Sequence, residues 1–449
     1  MELKLGIMSP LSQLSSRYVN LSHTLVACWI TVIMGTSLLT ARATELRAGL
    51  SKIDITPNRQ VKMAGYESRK DFSQGVHDPL GARALVLEKD GHRLALVSLD
   101  NLGFYNGTAE LLRQAILDAC QLKPSELFLC AIHTHSAPTL SLDPEKSDPA
   151  NVEYTKGLQS KLVELVGTAL KRGKPVEASV CFGSSPVGVN RREVVQESAT
   201  KSRIVLGRNP SKMTDREVQV LKITRGGRNN LVGALFVYAT HSTSLGAKNY
   251  LISGDIHGIA EQFLETYYGK EIVAPGFAGA SGNIDPWVRV LPDFRTNNGW
   301  LPEPVLLGTL LGEEIARVLE GTQIALTNLD IRTLLKTVAL PGKEPSDSQA
   351  TTNSAAPFNI TAGRLGEIAF VGWGGEVFNE IGTAVKKGSP FPHTFILTHC
   401  NGAAGYLPTP ESYSEGGYEV QSSKFGLGAA EVLIEETLRS LRELHDGVQ

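Results

Sequence analysis

Apolar residues recur along the chain in two spacings, one typical of strands and the other typical of helices. Short apolar runs predict buried strands, and the clearest is 127–132, which ends abruptly in polar residues. Apolar positions three to four residues apart predict helices. Strands are predicted at 47–55, 82–87, 93–99, 127–132, 176–182, 218–224, 231–239, 327–340, 367–373 and 394–398, and helices at 108–122, 151–171, 256–268, 305–320, 377–386 and 424–445. Because the two kinds of element interleave to the end, we expect an α/β fold with mixed β-sheets flanked by helices.

Two breaks in this pattern delimit the predicted domain. Lys4 and Arg17 precede an uncharged stretch at 24–39, and Ala-Arg-Ala at 41–43 has the small-X-small spacing of a signal-peptide cleavage site. We therefore expect residues 1–43 to be a signal peptide and the protein to be exported to the periplasm or the extracellular space. An uncleaved N-terminal membrane anchor is the alternative.

A second break, at 341–357, is rich in Ser, Thr, Pro and Gly and predicts an exposed surface loop. Candidate catalytic residues lie on both sides of it. We therefore expect a single large catalytic domain over 44–449, with the loop inserted in it.

Composition and charge narrow the class of protein. The 449 residues carry a formal net charge of -2 and no run of basic residues, so nucleic acid is not an expected partner. No feature indicates a protein partner. The cysteines after residue 43 are too few for a disulfide framework and are expected to be buried thiols, although one bridge among them stays open. They are Cys120, Cys130, Cys181 and Cys400.

Polar residues able to carry chemistry stand where four of the predicted strands end. His133 and His135 follow one strand, and residues i and i+2 of an extended chain share a face, so both imidazoles are expected to point the same way. His241, Glu376 and Tyr406 follow later apolar strands. Two histidines and a carboxylate match a catalytic zinc site that keeps one position open, whereas tyrosine is a less usual ligand. Taken alone, the His-X-His pair also fits a polar strand end without metal.

Four motifs, in order along the chain, carry a resemblance to a known family. They are IHTHSAP at 132–138, THSTSL at 240–245, Gly-Glu at 375–376, and Cys-Asn at 400–401 leading through Tyr406 to PESY at 410–413. These resemble the THTHSGP, THPTSM-like, Gly-Glu and Cys-Asn segments of the neutral, non-lysosomal ceramidases, zinc-dependent hydrolases of the ceramide amide bond. The segments 50–65 and 83–100 also resemble that family, so the likeness covers nearly all of the chain after residue 43.

The resemblance implies a ligand set and a substrate side. Zn²⁺ would be held by His133, His241, Glu376 and Tyr406. His135 would be a substrate-side group that manages protons. A zinc ion lowers the pKa of its bound water to about 7, which supplies a nucleophile at neutral pH.

Arg191, in an Asn-Arg pair like that of the family, would bind or polarise the substrate. A solvated cation beside Arg192 is the alternative interpretation of Arg191.

Two departures from the family limit the transfer of function. Where the family has Gly-Asp-Val-Ser-Pro, this chain has Gly-Asn-Ile-Asp-Pro at 282–286, which puts Asp285 in the place of the active-site serine. Metal-activated water needs no side-chain nucleophile, so we expect that mechanism to survive, with Asp285 orienting the water or binding a substrate amine or hydroxyl. We also expect no C-terminal immunoglobulin-like domain.

The sequence therefore predicts an exported zinc-dependent hydrolase that cleaves the amide bond of ceramide or a related N-acyl lipid. Peripheral contact with a membrane would give such an enzyme access to a lipid substrate. One alternative is a zinc amidase or esterase acting on a soluble substrate, which Asp285 favours. The other is a catalytically inactive secreted binding protein, against which the intact ligand set argues.

Overall fold

The structure is a computed structural model that describes residues 45–227, 230–287, 303–343 and 355–447. The predicted signal peptide at 1–43 and most of the predicted surface loop at 341–357 lie outside the described residues. No helix within these ranges combines the length and the apolar character that a membrane crossing requires.

Strands occupy most of the segments in which short apolar runs predicted them. In chain order they are β1 Arg47–Asp54, β2 Gly75–Val76, β3 Gly81–Lys89, β4 His92–Leu99, β5 Leu127–Ala131, β6 Lys174–Pro175, β7 Glu177–Ser184, β8 Gly188–Asn190, β9 Arg192–Gln196, β10 Ser202–Leu206, β11 Glu217–Thr224, β12 Leu231–Tyr238, β13 Leu251–Ile252, β14 Gly276–Ala278, β15 Ile284–Pro286, β16 Ile324–Ala325, β17 Ile331–Pro341, β18 Ala355–Leu365, β19 Ile368–Trp373, β20 Glu376–Val377, β21 His393–Leu397 and β22 Tyr406–Leu407.

Helices lie between these strands and after them. They are α1 Thr108–Cys120, α2 Pro149–Lys171, α3 Asp255–Tyr267, α4 Glu303–Glu320, α5 Asn379–Gly388, α6 Pro410–Glu415, α7 Tyr418–Ser422 and α8 Ala429–Asp446. The long helix α2 begins with Asp148, whose side chain accepts a hydrogen bond from the backbone of Ala150. Such a cap satisfies one of the donors that the first turn of a helix leaves unpaired.

The strands form three larger sheets built on one plan. Their strand orders are β5-β4-β3-β1-β6, β14-β12-β11-β7-β16 and β17-β18-β19-β21. Each sheet is antiparallel except for one parallel pair, which is β4 with β5, β12 with β14, and β19 with β21. The carboxyl ends of two parallel strands lie at the same edge of a sheet, and ligand sites collect at such edges.

Alternation along single strands assigns the two faces of each sheet to different cores. In β5, Leu127 and Leu129 pack under α1 and α2, whereas Phe128 and Cys130 join a core shared by all three sheets. β12 and β19 divide in the same way, with α3 and α4 covering the second sheet and α5 and α8 the third. Each sheet therefore lies between a common centre and its own helices, which holds the strand ends rigidly.

The predicted α/β class with mixed sheets is confirmed, and the differences concern single elements. β18 was not predicted as a strand, because Pro357, Asn359 and Gly363 weaken the strand pattern. The segment nevertheless pairs with β17 along its whole length, from Leu365 opposite Ile331 to Ala355 opposite Pro341. Pairing with a neighbouring strand therefore outweighs the low strand propensity of its own residues.

The last helix begins at Ala429 and not at 424. Gly428, with a φ of 89°, precedes it and sets where it can start.

Candidate metal and substrate site

The predicted site residues follow the carboxyl ends of the three parallel pairs. His133 comes after β5, His241 after β12, and Glu376 after β19. A residue that follows the partner strand of each pair contacts one of these histidines. These residues are Leu102 after β4, Ser281 after β14 and His399 after β21. The three sheets also meet near their strand ends, through isolated bridges between Thr134 and Ser242 and between Cys130 and Cys400.

His133 enters the site by a turn and not by the pleat of a strand. β5 ends at Ala131, and His133 has a φ of 62°, so the expectation that His133 and His135 share a strand face is wrong. The Nδ1 atom of His133 lies 2.7 Å from the carbonyl oxygen of Leu102, which follows β4. Because a carbonyl only accepts, Nδ1 carries the proton and Nε2 presents a lone pair.

His399, which follows β21, fixes the plane of the His133 ring. The two imidazoles are stacked with their centroids 3.8 Å apart and their planes 11° apart. His399 is buried and burial lowers its pKa well below the usual value, so it packs as a neutral ring. The ring of His133 is therefore held on one face by packing and at one edge by a hydrogen bond.

His241 is oriented by the same logic. Its Nδ1 lies 2.8 Å from the carbonyl oxygen of Ser281, which follows β14, and 3.0 Å from that of Ile284. Nδ1 therefore carries the proton and Nε2 the lone pair. Burial, and then the charge of Arg191, lower the pKa of His241, which favours the neutral form that binds metals.

Glu376 supplies a buried carboxylate between the two imidazoles. Its Oε2 lies 3.5 Å from Nε2 of His133 and 3.5 Å from Nε2 of His241. Burial alone would raise the pKa of Glu376, but the two histidines outweigh it and hold the pKa well below the usual range. Oε2 has no hydrogen-bond partner among the described residues, so an acceptor faces the histidines without a donor to satisfy it.

Tyr406 lies opposite Glu376 in the parallel pair of β20 and β22. It is buried, and burial followed by the charge of Glu376 raises its pKa well above the usual value. The strand pairing thus brings the predicted carboxylate and phenol ligands together, although 29 residues of sequence separate them.

His135 lies in the same cluster. Its Nε2 is 3.3 Å from Nε2 of His133, and its Nδ1 has no hydrogen-bond partner within the described ranges. Gly65, with a φ of 99°, allows this approach, since a side chain there would begin 2.5 Å from Nδ1 of His135. Burial, and then the neighbouring histidines, lower the pKa of His135 well below its usual value.

The donor set fits a small divalent cation. Ligand atoms of His133, His135 and His241 lie within 4.8 Å of one another. Tetrahedral Zn²⁺ with nitrogen and oxygen ligands separates neighbouring ligand atoms by about 3.4 Å. The distances of 3.3 Å between the His133 and His135 nitrogens and 3.5 Å from Glu376 to His133 and to His241 match that separation. These residues can therefore hold a metal ion with little rearrangement.

Arg191 and Asp285 lie beside the metal cluster. Arg191 is 4% exposed, so the alternative of a solvated cation is wrong. Its Nη1 donates to Nε2 of His241 and to Oδ1 of Asp285, each at 3.1 Å. The other oxygen of Asp285 accepts from Nη1 of Arg208 at 3.3 Å. Burial would raise the pKa of Asp285, but Arg191 and His241 lower it, so the carboxylate is ionised and already paired.

The sequence did not point to several residues that complete this arrangement. Arg208, Glu419 and Arg192 reach it from segments without helical or strand periodicity, and no motif marked them. Only the adjacency of Arg192 to Arg191 offered a signal. From the sequence, the position of His399 fits either a core histidine or a residue that supports the site, and its stacking on His133 favours the second role.

Comparisons with known proteins identify the family of the chain. Residues 46–284, over half of the chain, match the family described as neutral/alkaline non-lysosomal ceramidase, N-terminal. Neutral ceramidase 1 of Arabidopsis thaliana is 26% identical over 50% of this chain and 29% of its own length. The neutral ceramidase of Pseudomonas aeruginosa is 28% identical over 56% of this chain and 39% of its own length. The matched regions thus span well under half of these relatives.

A solved structure supports the same relationship at the level of the fold. The crystal structure of neutral ceramidase from Pseudomonas aeruginosa superposes with a TM-score of 0.74, covering 90% of this chain and 75% of that chain at 20% identity. At that identity the likeness concerns architecture. Together with the matched segment, it shows that the chain belongs to the neutral/alkaline non-lysosomal ceramidase family.

Proposed function

We propose that the chain is an exported zinc-dependent hydrolase that cleaves the amide bond of an N-acyl lipid of the ceramide class. One observation carries the proposal. Nε2 of His133, Nε2 of His241 and the unsatisfied Oε2 of Glu376 converge, and Oε2 lies at a separation from each nitrogen that suits tetrahedral zinc. Family membership supplies the reaction class, the hydrolysis of an amide.

The residues have distinct roles in this proposal. The metal would be held by His133, His241, Glu376 and Tyr406, and when bound it would lower the pKa of a bound water and polarise the substrate carbonyl. His135 is neutral, because burial and the neighbouring histidines lower its pKa, and we assign it to the substrate side of the metal, where its Nε2 lies 3.3 Å from Nε2 of His133.

Arg191 is the substrate-orienting group. Its Nη2 is buried and finds no hydrogen-bond partner in the described part of the chain, so it is available to a carbonyl oxygen of the substrate. Asp285 pairs with Arg191 and Arg208, which supports a role in holding Arg191 more than a role in binding a substrate amine. This also explains how a carboxylate is tolerated where the family has a serine.

The test compares Glu376→Gln with Glu435→Gln, a control at an exposed carboxylate. Zinc per chain is measured by mass spectrometry, and hydrolysis is followed on ceramides, N-acylethanolamines and soluble acetamides, each with a chelated control. We expect Glu376→Gln to lose zinc and turnover together, because the substitution removes the ligand charge. Full zinc occupancy in Glu376→Gln would refute the ligand assignment.

The same panel separates the candidate substrates. Fastest turnover of ceramides supports the lipid substrate, whereas preferential cleavage of soluble amides supports the second candidate, a zinc amidase, which the Asp285 substitution favours. Zinc binding without any turnover would identify a binding protein. Export is checked by the N-terminus of the protein recovered outside the cytoplasm, which we expect near residue 44.

A further inference from the structure

A buried carboxylate from a distant segment ties the substrate-orienting arginine to its neighbour in sequence. Oε1 of Glu419 accepts from Nε of Arg191 at 2.8 Å, and Oε2 accepts from Nη1 of Arg192 at 2.9 Å. Glu419 is fully buried. One carboxylate therefore neutralises two adjacent guanidinium groups and uses both of its oxygens to do so.

These contacts fix the orientation of Arg191. A guanidinium is planar, so holding Nε at one point and Nη1 at another determines where Nη2 points. Glu419 holds Nε, while Asp285 and His241 hold Nη1. Nη2 is the atom left without a hydrogen-bond partner among the described residues, and the proposed function gives it to the substrate.

The segment that carries Glu419 is itself anchored at the site. Gly416 and Gly417 precede α7 with φ values of 71° and 99°, a turn that residues with a side chain adopt at a cost. Nη2 of Arg192 donates to the carbonyl oxygen of Gly416 at 2.7 Å and to Glu415 at 3.1 Å. The turn therefore delivers Glu419 to the two arginines in one position.

We infer that Glu419 is a positioning residue, which acts on the reaction by aiming Arg191 at the substrate. The inference rests on the proposed function, because that function gives Arg191 its task. Replacing the Glu419 carboxylate by an amide leaves one acceptor oxygen for two donors, Nε of Arg191 and Nη1 of Arg192, and leaves two buried cations to repel each other. Arg191 then loses its fixed plane while the metal ligands keep theirs.

A double-mutant cycle between Glu419→Gln and Arg191→Ala tests this inference. We expect Glu419→Gln to lower kcat/KM by about tenfold in the wild-type background and to have no further effect in Arg191→Ala, since it acts through the same group. Zinc occupancy should be retained in all variants. A purely structural role predicts the same fold-change in both backgrounds, and that result would overturn the inference.

Two further variants keep the test decisive. Glu153→Gln is the control, because Glu153 forms an exposed ion pair with Arg59 and makes no ion pair with Arg191 or Arg192 within the described ranges. It should leave kcat/KM within about twofold of wild type. The double variant Glu419→Gln with Arg192→Gln balances the buried charge and protects folding. It should remain impaired, and full recovery would show that only charge balance mattered.

Equilibrium binding separates failure of this inference from failure of the proposed function. Dodecanoate, the acyl product of an N-dodecanoyl amide, is titrated into the same zinc-loaded variants by calorimetry. If no amide is hydrolysed, the proposed function fails. The double-mutant cycle between Glu419→Gln and Arg191→Ala can then still be evaluated from the dodecanoate affinities of the four proteins. Additive losses of affinity would then refute the positioning role, and non-additive losses would support it.

Discussion

His133 and His135 share a motif, but different parts of the protein hold them. His133 is fixed by a carbonyl at Nδ1 and by a stacked ring, whereas Nδ1 of His135 has no hydrogen-bond partner in the described part of the chain. A ligand whose second nitrogen is tied to a carbonyl is the usual arrangement at zinc sites. The geometry thus supports the division of roles that the family resemblance implied, even though both Nε2 atoms lie within ligand distance of one another.

This difference predicts unequal effects of the same substitution at the two positions. Asparagine tolerates a positive φ, so His133→Asn changes the ligand without adding strain to the backbone. We expect His133→Asn to weaken zinc binding by more than about 100-fold and His135→Asn by less than about tenfold, with turnover lost in both. Competition against a coloured chelator measures the affinities. Equal losses of affinity would place His135 among the ligands.

His257 gives a second prediction for a single residue, this time in stability. Its Nδ1 lies 2.8 Å from the Ser242 hydroxyl and its Nε2 3.1 Å from the Tyr238 carbonyl oxygen, a pairing that suits neutral imidazole. Burial lowers the pKa of His257 to about 4. Below the ordinary pKa of about 6.5 the unfolded chain binds a proton that the folded chain refuses. Stability from this residue is therefore complete at pH 7 and is lost as the pH falls towards 4.

The measurement is urea unfolding of metal-free protein at pH 5, 6 and 7. His257→Gln removes the titration, so the stability of wild type relative to the variant should fall by about 2 kcal/mol between pH 7 and pH 5. His92→Gln, at an exposed histidine, is the matched control. A difference between wild type and His257→Gln that stays constant with pH would contradict the prediction.

Among the helices and strands, those with a clear apolar periodicity were predicted correctly from the sequence. The hairpin of β3 and β4, the helix α2 and the buried strand β5 lie within a few residues of their predicted bounds. β18 was missed because its pairing with β17 holds it in place and its own residues do not favour a strand. The helix α7 was missed because five residues carry too little pattern to be recognised.

The candidate site likewise contains residues that the sequence could identify and residues that it could not. Residues within motifs could be named in advance, and the structure brings His133, His241, Glu376 and Tyr406 to one place. The left-handed backbone at His133 could not be foreseen from an apolar run that reads as a continuing strand. Glu419 could not be foreseen either, because its role depends on hydrogen bonds to two arginines that lie more than 220 residues earlier in the sequence.

For the whole molecule, the core shared by the three sheets determines whether the strand ends meet. Phe128 lies in this core with no exposed surface, and an added Cβ at Gly363 or Gly372 would lie 3.2 Å or 3.0 Å from its ring. The ring of a residue in the first sheet therefore packs directly on the backbone of the third. Such close packing leaves little room for the surroundings to collapse around a smaller side chain.

Phe128→Ala should accordingly lower the free energy of unfolding by about 4 kcal/mol, as large truncations in well-packed cores do. Leu427→Ala is the control, since Leu427 is 67% exposed and should change stability by less than about 0.5 kcal/mol. Urea unfolding followed by circular dichroism measures both variants. A cost below about 1 kcal/mol for Phe128→Ala would show that the three sheets do not share one core.

The parallel pairing of β20 with β22 makes the candidate site depend on the C-terminal third of the chain. The segment that identifies the family, 46–284, contains the imidazoles and Arg191, but the carboxylate and phenol contributed by β20 and β22 come after it. A polypeptide shortened to 46–284 would retain the segment that matches the family but only two of the four proposed metal ligands, His133 and His241. Under the proposed function, a gene truncated at residue 284 would thus encode a protein that still matches the family but cannot complete the metal site.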